Sequence, residues 1–482
     1  METSGSNGQL KKRKQDFTEE KHDFDNNYEK EAKTTANVTN SKSIGLIFVS
    51  LLLDLLAFTM ILPLLPSLMD YYNKEEGNKD TLYSSLLNAV ESFRRITGAP
   101  DKFASVLFGG ALGSMYSFLQ FLTSPIVGSL SDAYGRKPLL LICLIGIATS
   151  HALWGIASSF GVFVLARFIG GLSKANVSLS MAVVSDATDE RTRARGMALI
   201  GLAFSVGFIL GPLAGAWFVM TQDRSAGMWG ERPALYALTL ASANIALVLF
   251  FVPETLPKNK RTPLRLTMSK ALDYVSPWHL LRFTAVPGLS EHQKKVLSRL
   301  GLIYFLYLFI YSGLEFTITF LTHHTFGFNA MQQGKMFLVI GVIMAVLQGG
   351  AARRLGARGA ERAARGALAL TPLSFLCVAA AAASPRHVPL FTPYAWLWAG
   401  LVLFALSTAF AVSCMTAMAA AAAPAGARGA ALGALRSLGA LARALGPLLA
   451  SAVYWYSGAT VTYAIGSAVL TIPAVMLFRL KT

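Results

Sequence analysis

The chain has 482 residues, of which 54% are hydrophobic and only 14% charged, against roughly 25% charged in an ordinary soluble domain. Such a chain cannot cover itself with polar surface, which excludes a soluble globular protein and leaves lipid as its main solvent. A formal net charge of +17 would suggest nucleic acid in a soluble protein, but the basic residues gather in alternate loops between apolar runs, so no nucleic-acid partner is expected.

Residues 1–42 are polar and mixed in charge, with Lys11, Lys12, Arg13 and Lys14 in one cluster, and read as a disordered, solvated tail. The first apolar run is too long for the h-region of a cleaved signal, so the first span itself is the expected insertion signal. A spanning helix needs about 20 mainly apolar residues. Segments of that kind run at 44–69, 103–130, 138–158, 162–185, 196–220 and 234–253, then at 299–322, 334–352, 366–383, 393–423, 430–453 and 459–479. The expected fold is therefore an all-α membrane protein with twelve transmembrane helices in two pseudo-symmetric six-helix bundles. The domains are a tail at 1–42, an N-terminal bundle at 43–256, a linker at 257–298 and a C-terminal bundle at 299–482.

On this arrangement 30 Lys and Arg residues fall in the tail, the even-numbered connections, the linker and the C-terminus, against nine in the odd-numbered connections. Positive charge favours the cytoplasmic side, which places both termini there. The halves also echo one another. Arg195-Gly196 leads through a glycine-rich stretch to Gly211-Pro212, and Arg428-Gly429 leads through a similar stretch to Gly446-Pro447. Internal repetition of this kind is expected of transporters, which bind substrate near the midplane where the repeats meet. Cys143, Cys377 and Cys414 all lie in apolar stretches and read as small core hydrophobes without disulfides.

Between the second and third segments stands GSLSDAYGRK, residues 128–137. Its Gly128, Asp132, Gly135, Arg136 and Lys137 resemble the GxxxDxxGRK gating-loop signature of the major facilitator superfamily. The fourth segment carries Arg167 followed by Gly171, similar to that family's RxxxG motif, and the sixth ends in Pro253-Glu254-Thr255-Leu256-Pro257. In the fifth segment Gly207, Gly211, Pro212 and Gly215 resemble the glycine-proline motif of the drug:proton antiporter branch, although Ala198 replaces an earlier glycine of the longer pattern. Asp54 with Pro63 and Pro66 is similar to the first span of tetracycline exporters. The counterpart loop in the second half, 349–358, keeps glycines and arginines but lacks the acid, so gating is expected to be asymmetric. The resemblance implies an organic anion or amphiphilic drug-like substrate, carried in exchange for protons.

A charge in mid-membrane costs roughly 2.5–3.5 kcal/mol on insertion scales and is usually paired or turned to a cavity. Asp54 and Lys174 lie at similar depths in the first and fourth spans. Family geometry lines the central cavity with both helices, which suggests that the two residues face one another. Arg167 is two turns from Lys174 on the same helix face and suits either an anionic group or a bracing role. In the other half Glu315, in the seventh span, and Arg443, in the eleventh, suggest a second acid-base pair. Asp54 and Glu315 are the proton-coupling candidates, with Lys174, Arg443 and Arg167 for substrate; structural ion pairing competes in each case. Arg436 lies nearer the cytoplasm, where it can snorkel. His151, Asn176, Asn244 and Gln348 read as interhelical hydrogen-bond partners, and Tyr304, Tyr307 and Tyr311 form a stripe suited to packing or to stacking a substrate.

No GxxxxGK[ST] loop, HExxH motif or cluster of Cys and His appears in the sequence, so neither enzyme chemistry nor a cofactor or metal is expected. The rival readings are an uncoupled or proton-symporting carrier and a transporter-like receptor or scaffold. The plasma membrane is the expected location, an intracellular membrane the alternative, and a monomer suffices for the mechanism.

Overall fold

A computed structural model of the chain describes residues 43–77, 79–97, 104–188, 190–220, 231–258, 261, 276–284, 286, 288–350, 355, 357–383, 392–424 and 428–480. The expected tail at 1–42 lies outside the described residues. Among those described there are helices and no strands, as lipid requires of an open chain whose backbone N–H and C=O groups must be satisfied within each segment.

In chain order the helices are α1 (Ser43–Glu76), α2 (Leu82–Thr97), α3 (Ala104–Tyr134), α4 (Arg136–Gly155), α5 (Phe160–Ser173), α6 (Asn176–Asp186), α7 (Glu190–Met220) and α8 (Glu231–Phe251). The second half comprises α9 (Pro277–Arg282), α10 (Glu291–Phe326), α11 (Ala330–Gly350), α12 (Ala357–Ala383), α13 (Pro393–Ala422) and α14 (Arg428–Arg479). The 52 residues of α14 would extend about 78 Å if straight, far more than the roughly 30 Å hydrocarbon core. Gly458, at φ 78° and ψ 174°, divides it into two helices, giving the eleventh and twelfth spans.

Three local features depart from the expected segments. Pro63 and Pro66, each lacking an amide hydrogen, fall where α1 tightens into a 3-10 turn at Leu62–Leu64. The fourth span is broken at Lys174 and Ala175 into α5 and α6. The seventh begins at Glu291 instead of 299, because Ser290 and Gln293 form a reciprocal capping box there; Gly327 (φ 67°) ends it. The linker and the first connection also contain the short helix α9 and the amphipathic helix α2, which apolar length does not reveal.

The outward faces carry large apolar side chains, among them Phe250, Val346 and Ile142, as contact with acyl chains demands. In the first bundle α3 packs on α5 and α4 on α8; in the second α10 packs on α14 and α12 on α13. The bundles meet along α3 with α14 and α7 with α11. Close helix approach is built from small residues. A β-carbon at Gly207 would lie 2.6 Å from Leu55 Cβ, and one at Gly211 would run into Thr59 Oγ1. Thr59 Oγ1 in turn donates to Gly207 O at 2.8 Å, and Gly215 abuts the Met60 carbonyl. The repeat does the same at Gly446, where α14 presses on the Phe309 carbonyl of α10.

Candidate functional site

Two charged centres occupy the interior, one in each bundle. In the first, Lys174 terminates α5, and the break in the helix presents its ammonium to α1. Lys174 Nζ donates to Asp54 Oδ2 at 2.7 Å, with both side chains almost fully enclosed. Asp54 Oδ1 is buried without a hydrogen-bond partner. The Phe58 ring, one turn along α1 from Asp54, lies 4.6 Å from Lys174 Nζ and 5.9 Å from Arg167 Cζ. Arg167 also rests on Tyr116, 4.3 Å from the ring centroid, and Phe58 and Tyr116 stack on each other at 5.4 Å. Among the described residues Arg167 has no ion pair. Its charge is held against aromatic faces, a contact worth about 0.5–2 kcal/mol, and its guanidinium retains donors for an anionic group.

In the second centre Tyr311 Oη donates to Glu315 Oε1 at 3.2 Å and lies 3.0 Å from Thr408 Oγ1. Tyr311 stacks between Tyr307 and Phe404, each ring centroid 5.3 Å away. The tyrosine stripe is thus packed into the protein, with Tyr304, Tyr307 and Tyr311 all buried. The expected pairing of Glu315 with Arg443 is not made: no ion pair joins them among the described residues. Glu315 turns to the Tyr311 hydroxyl on its own helix, while the Arg443 side chain is exposed, as is that of Arg436 two turns earlier on α14. The second bundle therefore presents cation and acid separately where the first presents them joined.

The loop at 128–137 is a compact electrostatic assembly. Gly135 takes φ +112°, and a β-carbon there would also lie 2.5 Å from Glu254 Oε2, so both conformation and space require glycine. Arg136 ion-pairs with Asp132 at 2.6 Å and Asp186 at 2.9 Å, and donates to Ser131 Oγ at 2.6 Å. Glu254 accepts from the amides of Arg136, Lys137 and Leu256, placing a carboxylate at the start of α4 where free amides and the helix dipole favour one. Lys137 Nζ donates to Leu249 O. Gly128 supplies the carbonyl that Ser131 Oγ bonds at 2.6 Å.

At the other end of the molecule the bundles are bonded directly. His323 Nε2 lies 2.8 Å from Asp70 Oδ2, His324 Nε2 lies 3.2 Å from Ser105 Oγ, and the Leu448 amide donates to Ser114 Oγ at 2.8 Å. Nearer the 128–137 end, Ser205 and Gln348 join α7 to α11 at 3.2 Å. Asp70, His323 and His324 bring possible metal-ligand atoms within 4.8 Å of one another, a grouping that sequence reasoning missed because Asp70 and His323 are 253 positions apart; only the adjacent histidines gave a local sign. Asn244 Nδ2 donates to Ser50 O at 3.0 Å. His151 Nε2 and Asn176 Oδ1 are buried without partners.

The profile described as Major Facilitator Superfamily matches residues 47–447. The chain belongs to the major facilitator superfamily. It is thus a multi-pass membrane protein and a transporter of that superfamily. Within the superfamily it is similar to the Homo sapiens major facilitator superfamily domain-containing protein 10, 43% identical over 445 residues that cover 91% of this chain and 93% of the human protein. The tetracycline resistance protein, class H, of Pasteurella multocida is 29% identical over 236 residues, 48% of this chain and 50% of that protein. The crystal structure of the human organic anion transporter MFSD10 (TETRAN) matches with a TM-score of 0.74 and 42% identity, covering 91% of this chain and 99% of that one. The D-xylose-proton symporter, at 15% identity and a TM-score of 0.65 over 92% of this chain and 98% of that one, shares the superfamily fold.

Proposed function

We propose that the protein carries organic anions, or amphiphilic solutes with an anionic group, by alternating access and in exchange for protons. The observation that carries this reading is Arg167, a guanidinium inside the first bundle without an ion pair among the described residues and held by Phe58 and Tyr116. Guanidinium donors suit a carboxylate, sulfonate or phosphate, and the flanking rings suit the apolar body of an amphiphile. Arg443, exposed on α14, adds a second cation from the facing bundle. Similarity to the human organic anion transporter supports the same substrate class.

Asp54 and Glu315 are the proposed proton carriers. Antiport is favoured by the likeness to tetracycline resistance proteins. A second reading, symport, is favoured by the Asp54–Lys174 bond: protonating Asp54 would release the ammonium to an anion, and linkage of that sign moves proton and anion together. The rocking units would be 43–256 and 299–482, with 257–298 as a cytoplasmic connection and both termini cytoplasmic by the charge asymmetry. On that orientation the Asp70–His323 end is extracellular and closed. The plasma membrane is the proposed location.

The test is uptake of an amphiphilic organic anion into proteoliposomes with and without an imposed pH gradient, comparing wild type with Asp54→Asn and Glu315→Gln. Gradient-driven uptake that one variant loses while retaining exchange assigns that acid, and the direction of the driving gradient separates antiport from symport. An identical response of all three proteins to pH would overturn the coupling assignment, and absence of uptake across a broad anion panel would overturn the substrate class.

A further inference from the structure

His323 and His324 close α10, and Asp70 lies in the last turns of α1, so their meeting joins the two bundles outside the charged centres. Each ring nitrogen of His323 faces an oxygen that can only accept. Nδ1 lies 3.1 Å from the Phe328 carbonyl and Nε2 lies 2.8 Å from Asp70 Oδ2. A neutral imidazole has one N–H and cannot satisfy both; at 2.8 Å a second proton bridges Nε2 and the carboxylate, and a metal ion would replace that proton as the two ligand atoms part to about 3.3 Å. With Nδ1–H donated to the carbonyl, the tautomer and ring orientation are those of a metal-binding histidine whose Nε2 lone pair points at the ion. His324 brings a third ligand atom, and the three lie within 4.8 Å of one another.

We propose that Asp70, His323 and His324 form a zinc(II) site that clasps the bundles together. Two imidazoles and one carboxylate, with a fourth position left to water, suit tetrahedral zinc. Magnesium and calcium, which call for about six or more oxygen ligands, are poorly matched. Because Asp70 comes from the first bundle and the histidines from the second, the site is complete only while this end is closed. An ion bound there stabilises this arrangement over any in which the ends have parted, by its difference in affinity for the two. Zinc therefore slows the transport cycle from the side on which the site opens, a consequence that rests on the transport reading, whereas the binding itself does not.

The test follows thermal unfolding of the purified full chain in detergent with added zinc chloride, for wild type, His323→Ala, His324→Ala and Asp70→Asn. Zinc at micromolar concentration raises the wild-type midpoint, and loss of any one ligand weakens the apparent affinity by about tenfold or more, as even outer partners of a metal site do when removed. His324→Ala is the decisive variant, since it leaves the Asp70–His323 bond in place; it also loses the bond to Ser105, so each protein's zinc shift is read from its own zinc-free midpoint. Cobalt(II) provides a second readout, giving the intense visible bands of a four-coordinate site with wild type and not with His324→Ala. An equal zinc shift in wild type and His324→Ala, or no shift up to millimolar zinc, overturns the proposal and leaves the cluster a proton-bridged ion pair.

Discussion

Lys174 of the broken fourth span and Asp54 of the first are joined by a single 2.7 Å bond, with side-chain exposures of only 4% and 1%. Neither partner has water to fall back on. A buried pair contributes little net stability, yet removing one member strands the other charge, at a cost of about 3–5 kcal/mol. Asp54→Asn and Lys174→Met should each lower the thermal unfolding midpoint sharply, while the double variant recovers much of the loss. A double variant as unstable as the sum of the two would show that the charges act independently.

Arg167 should separate substrate recognition from folding. Arg167→Ala removes a donor to the anion and should raise KM for organic anions by about tenfold to a hundredfold, the loss of one charged hydrogen bond. Its stability should fall by only about 1 kcal/mol, since Phe58 and Tyr116 hold the guanidinium by cation–π attraction. Uptake kinetics beside thermal unfolding check this; a stability loss with KM unchanged would assign the residue to bracing alone.

Arg136 binds Asp132 and Asp186 from one planar guanidinium, a geometry that lysine cannot reproduce. Arg136→Lys should therefore lower the turnover rate at saturating substrate and leave KM close to wild type, because the loop lies outside the charged centres. Thiol labelling of a cysteine placed beside the loop should change in parallel, reporting a shifted balance between conformations.

Gly211 sits where any β-carbon would strike Thr59 Oγ1, whereas Gly201 has nothing within 4 Å. Gly211→Ala should destabilise the protein by about 1–3 kcal/mol through overpacking, and Gly446→Ala should do the same in the second bundle. Gly201→Ala should be neutral or slightly stabilising, since alanine is preferred to glycine in a helix interior by about 0.5–1 kcal/mol. Thermal unfolding of the three variants gives the order.

Much of the architecture was legible because membrane solvation imposes a long apolar segment for each crossing, which is a one-dimensional property of the chain. The GSLSDAYGRK loop was legible for a similar reason, as its motif residues lie within ten positions and Asp132 pairs with Arg136 locally, whereas its partners Asp186, Leu249 and Glu254 come from distant segments. The break at Lys174 was not: the fourth span reads as one apolar helix, and the interruption shows only where the ammonium turns to Asp54. Glu315 and Arg443 were an intelligible pair by depth, but depth does not say which way a side chain points, and Glu315 satisfies itself on Tyr311.

By itself the sequence determined a twelve-crossing helical protein of two repeats with cations and acids inside the membrane, since composition, length and charge asymmetry act segment by segment. Only the tertiary structure decided which charges meet. It joins Asp54 to Lys174, leaves Glu315 apart from Arg443 and draws Asp70 to the His323–His324 pair, because each outcome depends on the packing of helices far apart in the chain, and short-range electrostatics then reward distances of about 3 Å that no spacing rule encodes.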